Sequence, residues 1–178
     1  MIIDLDTKAA QMREEVIFSR VSNVGLDSDV IDQLCSMAAK TSRGRVRLCV
    51  HRDSSEEQQE MLIVHPRHAY VPPHKHLGKS ESILILRGST DYFLFDDVGN
   101  IAEKIELGDQ YSKKCFFFRL SEPTYHSMLI RSGVLVFLEI TQGPFDPSDN
   151  VVAPWAPEAN DPEAVGRFLK SLTTGKIY

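Results

Sequence analysis

Cysteine is scarce in this sequence. There are three in 178 residues, Cys35, Cys49 and Cys115, and no C-x-x-C spacing occurs. An odd count without that spacing excludes a disulfide framework and a cysteine zinc site. It leaves three reduced, mostly buried thiols in a cytoplasmic protein. Any metal must then be held by nitrogen and oxygen. Long apolar stretches are missing too: the longest pure run, residues 134–138, has five members, against about 20 for a membrane-spanning helix. The opening MIIDLDTK carries acids where a secretory leader has a basic segment and a long apolar core. No membrane partner is expected. Positive charge is not in excess, since 20 Lys and Arg face 25 Asp and Glu for a net charge of −5. A groove for a phosphate backbone needs a basic stripe, so no nucleic-acid partner is expected either.

What remains is an ordinary globular composition, 42% hydrophobic and 25% charged. Its length suits one domain in three unequal parts. Residues 1–44 read as a helical and irregular extension packing on the barrel. Asp6 or Thr7 caps a short helix through Met12 and Glu15. Asp27 or Ser28 caps a second, with Ile31, Leu34, Cys35 and Ala38 at helical spacing, ended by residues 42–44. Residues 45–141 read as consecutive short strands at 45–51, 60–65, 69–74, 81–87, 91–96, 101–106, 115–120, 126–131 and 133–140, separated by Gly, Asp, Asn and Ser turns. That rhythm is the mark of an all-β sandwich or barrel. In 81–87 both faces are apolar, Ile83 and Ile85 on one and Leu84 and Leu86 on the other. Such a strand is covered on both sides, by a second sheet and by a helix or a partner subunit, and a homodimer is expected. Residues 142–178 hold five of the nine prolines and the only tryptophan. This is a Pro-rich arm, pinned by Trp155, then a short helix with Asp161 as cap, Pro162 at its first position, and Val165, Phe168 and Leu169 facing inward.

The chemistry concentrates at His74-Lys-His76 and Glu81. Side chains two apart on a strand share a face, so both imidazoles aim into one space. Residues 77–80 read as a turn that returns the chain as a partner strand with Glu81 inward. A buried carboxylate is costly unless it is paired or metal-bound. His126, after the proline turn at Pro123, is the fourth candidate. Three imidazoles and a carboxylate suit one divalent transition metal, Fe(II), Zn, Mn, Co or Ni. They leave one or two positions open for substrate, water or O₂.

His74-x-His76-(x)4-Glu81-(x)6-Gly88 resembles the first motif of the cupin superfamily. Gly108 and Pro123-x-x-His126 resemble its second, with Pro123 where the prototype has glycine. Over roughly residues 16–172 the chain is similar to the WbuC family of cupin-fold metalloproteins. The carrying segments are Arg45-x-Arg47-x-x-x-His51, 71–76 (Val-Pro-Pro-His-Lys-His), 86–88 (Leu-Arg-Gly), Leu94-Phe-Asp-Asp97-x-Gly99, 122–126 (Glu-Pro-Thr-Tyr-His), 143–147 (Gly-Pro-Phe-Asp-Pro) and 153–157 (Ala-Pro-Trp-Ala-Pro). The resemblance implies an all-β cupin jelly-roll barrel with a metal inside one end and a tie to lipopolysaccharide O-antigen gene clusters. The first 15 or so residues look like an extension of it.

Other residues are candidates of a second rank. Arg47 and His51 share a strand face, where they hold an anionic or sugar ligand or form an edge strand's solvent face. Arg87 and Arg119 can clamp a phosphate or carboxylate. Tyr70, Tyr92 and Tyr125 are acid/base or stacking candidates, and Tyr70 and Tyr125 are the catalytic expectation. Glu139, a charge in an apolar strand, partners a buried arginine or faces the metal cavity. His65 and His68, about a turn, are expected to be solvated. The leading expectation is a metal-dependent isomerase or epimerase of a sugar or nucleotide sugar for cell-surface polysaccharide. An Fe(II) oxygenase, a non-catalytic sugar-binding module and a structural dimer with a vestigial metal are the alternatives.

Overall fold

The computed structural model describes residues 2–174. Twelve strands form two sheets: β1 (Ala9–Arg13), β2 (Val16–Ser19), β3 (Val46–Cys49), β4 (Gln58–Pro66), β5 (His74–His76), β6 (Glu81–Arg87), β7 (Ser89–Phe95), β8 (Ile101–Gly108), β9 (Phe117–Leu120), β10 (Tyr125–Ile130), β11 (Val134–Gln142) and β12 (Asn150–Val152). A seven-stranded sheet runs β1-β2-β3-β4-β11-β6-β9 and a five-stranded one β12-β5-β10-β7-β8. The helices are a single turn α1 (Leu5–Lys8), α2 (Ser28–Ala38) and α3 (Pro162–Thr174). This is the all-β sandwich that the strand rhythm implies.

Three apolar layers stack through it. On β4 the odd positions Met61 and Ile63 face the other sheet, and the even positions Leu62 and Val64 face outward. The inner layer joins them to Ile83, Ile85, Tyr92, Met128, Leu135 and Phe137. The outer layer of the wide sheet packs Val46, Leu48, Leu62 and Val64 against Val30, Leu34 and Ala38 of α2. Asp27 caps that helix by accepting from the backbone N–H of Asp29 and Val30. The outer layer of the narrow sheet packs Phe93, Phe95 and Tyr125 against Phe168 and Leu172 of α3.

Three expectations need correction. The helix read over residues 7–15 is one turn followed by the β1–β2 hairpin. Ala-Ala-Gln-Met-Arg at 9–13 are helix formers by intrinsic preference, and pairing within a sheet overrides that preference. β2 then runs parallel to β3 and widens the sheet. The strand read at 69–74 lies at His74–His76 instead, after two prolines that cannot donate to a ladder. The Pro-rich arm contributes β12, which pairs with β5. No helix fully covers the outer face of β6, which leaves the partner-subunit alternative: α2 lies over β3 and β4, and Leu86 stays 37% exposed.

Trp155 does pin the arm. Its ring packs on Phe95 and Tyr125, and Nε1 donates to the Asp97 carbonyl. Gly99, at φ +95°, makes room for it, because a Cβ there would lie 2.9 Å from the indole. Gly88, at φ +87°, closes the β6–β7 turn where any Cβ would run into Ser132 and the Val134 carbonyl. No helix among the described residues is long and apolar enough to cross a membrane.

Candidate metal centre

β5, β10 and β6 bring His74, His76, His126 and Glu81 together. One ligand atom from each lies within 4.8 Å of all the others. His126 and His74 face each other as an antiparallel pair. Glu81 does not return on a partner strand of β5, as the turn at 77–80 suggests. β5 pairs with β10 and β12, whereas β6 pairs with β11 and β9. The connector therefore crosses between sheets, and Glu81 meets the imidazoles from the opposite wall. Around that connector the Leu77 N–H donates to the Asp149 carbonyl, the Ser80 N–H to Gln142, and the Thr141 hydroxyl to the Ser80 carbonyl.

Two imidazoles are fixed by the same local device. His74 Nδ1 donates to the Pro72 carbonyl at 2.8 Å, and His126 Nδ1 to the Thr124 carbonyl at 3.0 Å. Each tautomer is thereby set with its Nε2 lone pair free, the arrangement that metal-binding histidines use. His126 Nε2 is buried and has no hydrogen-bond partner. His76 Nε2 lies 2.9 Å from Glu81 Oε2. Tyr92 stacks on His126 and donates its hydroxyl to Glu81 Oε1 at 3.3 Å.

The electrostatics follow from burial and these neighbours. Burial, helped by the charge of His126, pushes His74 down to about 4. Burial also lowers His126, against the pull of Glu81. For His76 burial opposes the cation, but the hydrogen bond and charge of Glu81 prevail and raise it. Burial opposes ionisation of Glu81 as well, and the hydrogen bond from His76 with the three nearby imidazoles holds it down at about 2. The cluster thus offers an ionised carboxylate and two neutral imidazoles near neutral pH. This nitrogen and oxygen donor set can hold a divalent metal.

A cavity of about 540 Å³ opens from the cluster between the sheets, within the usual range for small-molecule sites. Cross-strand register places a polar row along its floor, Glu81–Thr141–Gln59, with His51 beyond. Behind it lie Glu139, Met61 and Cys49. Glu139 therefore faces the cavity, and burial together with the charge of Glu81 raises its pKa to about 7.

The second-rank residues separate. Arg47 and His51 line the cavity, and His51 is buried with Nδ1 held by the Glu60 backbone. Arg87 is elsewhere, on the outer face with Asp32 of α2 at 2.7 Å. Arg119 donates to Ser80 and Ser121 beside the connector and does not line the cavity. Tyr70 and Tyr125 are not at the cluster. Tyr70 donates to the Pro157 carbonyl and packs on Phe168; Tyr125 packs on Trp155 beneath the Lys75 ammonium. The physical reason is strand parity: Tyr125 precedes the inward His126, so it faces outward. His65 is not solvated; its position on β4 turns it into the cavity wall, where burial lowers it to about 3. His68 is exposed. Gln59 and Thr141 went unmarked in the sequence, although their parity with Glu139 along paired strands was the available signal.

A family model described as a domain of unknown function (DUF6016) matches residues 26–107. No curated protein matches the chain. Protein SO0799 from Shewanella oneidensis superposes with a TM-score of 0.52 at 11% identity, over 68% of this chain and 82% of its own. A mutant oxalate decarboxylase of Bacillus subtilis has a TM-score of 0.44 at 19% identity, over 55% of this chain and 24% of its own. The capsular polysaccharide assembling protein CapF from Staphylococcus aureus has 0.45 at 17%, over 55% and 27%. The chain thus spans about a quarter of the length of the last two.

Proposed function

We propose that this protein is a metal-dependent cupin enzyme, related to the WbuC family by segments such as 71–76 and 153–157, that isomerises or epimerises a small polar substrate such as a sugar or nucleotide sugar. The observation that carries the metal is His126 Nε2, an acceptor buried with no partner beside an ionised carboxylate. Leaving a buried polar atom unsatisfied costs about 1–3 kcal/mol, and coordination removes that cost. His74, His76, Glu81 and His126 would hold the ion. When bound it would supply Lewis-acid polarisation of a carbonyl or hydroxyl oxygen.

The chain's own residues supply the rest. Tyr92 holds the Glu81 carboxylate and the His126 ring in place and stays protonated, because burial and the charge of Glu81 raise it far above its ordinary value. The expected catalytic tyrosines face away, so proton transfer falls to Glu139, which shares the cavity wall and exchanges its proton near neutral pH. Thr141, Gln59 and His51 offer hydroxyl-binding groups along one row.

Elemental analysis of the purified protein tests this. About one equivalent of transition metal is expected in the wild type, and under a tenth as much in His74→Ala. Absence of metal after reconstitution overturns the reading. With metal present, solvent deuterium entering a sugar at carbon supports isomerisation. Oxygen consumption would replace it with an oxygenase, and a sugar bound unchanged over hours with a binding module.

A further inference from the structure

We propose that the cavity takes an elongated organic anion, with oxygen donors at the cluster and a terminal carboxylate or phosphate paired with Arg47. This deepens the metal-dependent reading and rests on it. The first observation is charge. Arg47 lines the cavity, and while its backbone N–H donates to the Glu15 carbonyl, its guanidinium makes no hydrogen bond or ion pair with any described residue. Lys79, the other cavity lysine or arginine, is already taken by Asp149 at 2.8 Å and by the Pro144 carbonyl at 2.6 Å. A guanidinium is the side chain best suited to seize a carboxylate or phosphate with two parallel bonds.

The second observation is distance. Arg47 stands opposite Ile63, Ile63 opposite Phe137, and Phe137 opposite Ile85. β3 and β6 are thus three strand spacings apart, roughly 14 Å. Glu81 is four residues beyond Ile85 along β6, so by the same strand geometry the Cα atoms of Arg47 and Glu81 are about 19 Å apart, and the reach of the arginine side chain shortens the gap that a ligand must bridge. Met61, Ile63 and Phe137 floor the path, and Val71 and Met128 come from the facing wall. A ligand bridging the two poles therefore has an apolar or uncharged midsection. Glu139 faces the middle of that path, where a negatively charged midsection would meet a carboxyl.

The experiment loads the protein with Co(II), whose visible spectrum reports ligand addition, and titrates linear dicarboxylates of four, six, eight and ten carbons. Octanoate and 8-phosphonooctanoate are the controls. Affinity should rise about tenfold from the four-carbon diacid to the longest member of the series, the size of effect expected for one charge-assisted bidentate pair. In Arg47→Ala that gain should vanish, with octanoate binding unchanged, and Arg47→Lys should keep part of it. Tighter binding of the phosphonate would assign the terminal group to phosphate, the reverse order to carboxylate. Equal affinity across chain lengths, or a preference that survives in Arg47→Ala, overturns the proposal. If Arg47 serves only to offset the charge of Glu139, its removal would shift all ligands alike. Failure of Co(II) to bind would instead remove the metal-dependent reading on which this one stands.

Discussion

Glu139 is the residue whose surroundings differ most from what its neighbours in the sequence suggest. Five apolar residues precede it, yet strand parity points it into a polar cavity. Its folded pKa, about 7, lies above its unfolded value. Its contribution to stability is therefore complete below about pH 4.5 and is lost as pH rises through 7. Glu139→Gln removes that loss. The variant should gain on the wild type between pH 5 and pH 8, by on the order of 1–2 kcal/mol once cavity water is allowed for. Thermal melts at the two pH values check this, and a pH-independent difference would refute it. His74 titrates the other way. It is held down at about 4, so its share of stability is present above about 6.5 and falls away as pH drops towards 4. His74, His76, Glu81 and His126 were legible as a set, because their spacing is local at three of the four. The tyrosines were not, because chemical plausibility says nothing about which face of a strand a phenol occupies.

At the scale of elements, buried side chains hold α2 and the arm to the sheets. Leu34 of α2 is completely buried against β3 and β4. Leu34→Ala should cost about 3 kcal/mol in urea unfolding, as large-to-small core changes do. Gly99→Ala should cost about 2 kcal/mol, since it forces a positive φ and crowds the indole at once. It should also raise tryptophan fluorescence quenching by added iodide, because the arm loosens around Trp155. The strand rhythm from 45 to 141 was readable, since turn residues and alternation are local signals. The β1–β2 hairpin and β12 were not. Each is short and is joined to its sheet by pairing with a strand distant in sequence, β2 with β3 and β12 with β5. The jump of the chain between sheets at 77–80 was hidden for the same reason, since a four-residue turn serves a hairpin or a crossover equally well.

For the whole molecule, metal binding would be linked to stability. An ion bound at one hundred times its dissociation constant adds about 2.7 kcal/mol to the folded state. Removal by EDTA should lower the melting temperature by several degrees in the wild type and leave His74→Ala almost unmoved, as scanning calorimetry would record. Three of the four ligands stand on the narrow sheet and Glu81 alone on the wide one. A bound ion would therefore work as a clasp across the sandwich. Prising the sheets apart would have to break the bond to Glu81 before solvent could enter the inner layer. The stabilisation would show in one rate: the folded molecule would open more slowly, while its rate of formation, set before the sheets meet, would hardly change.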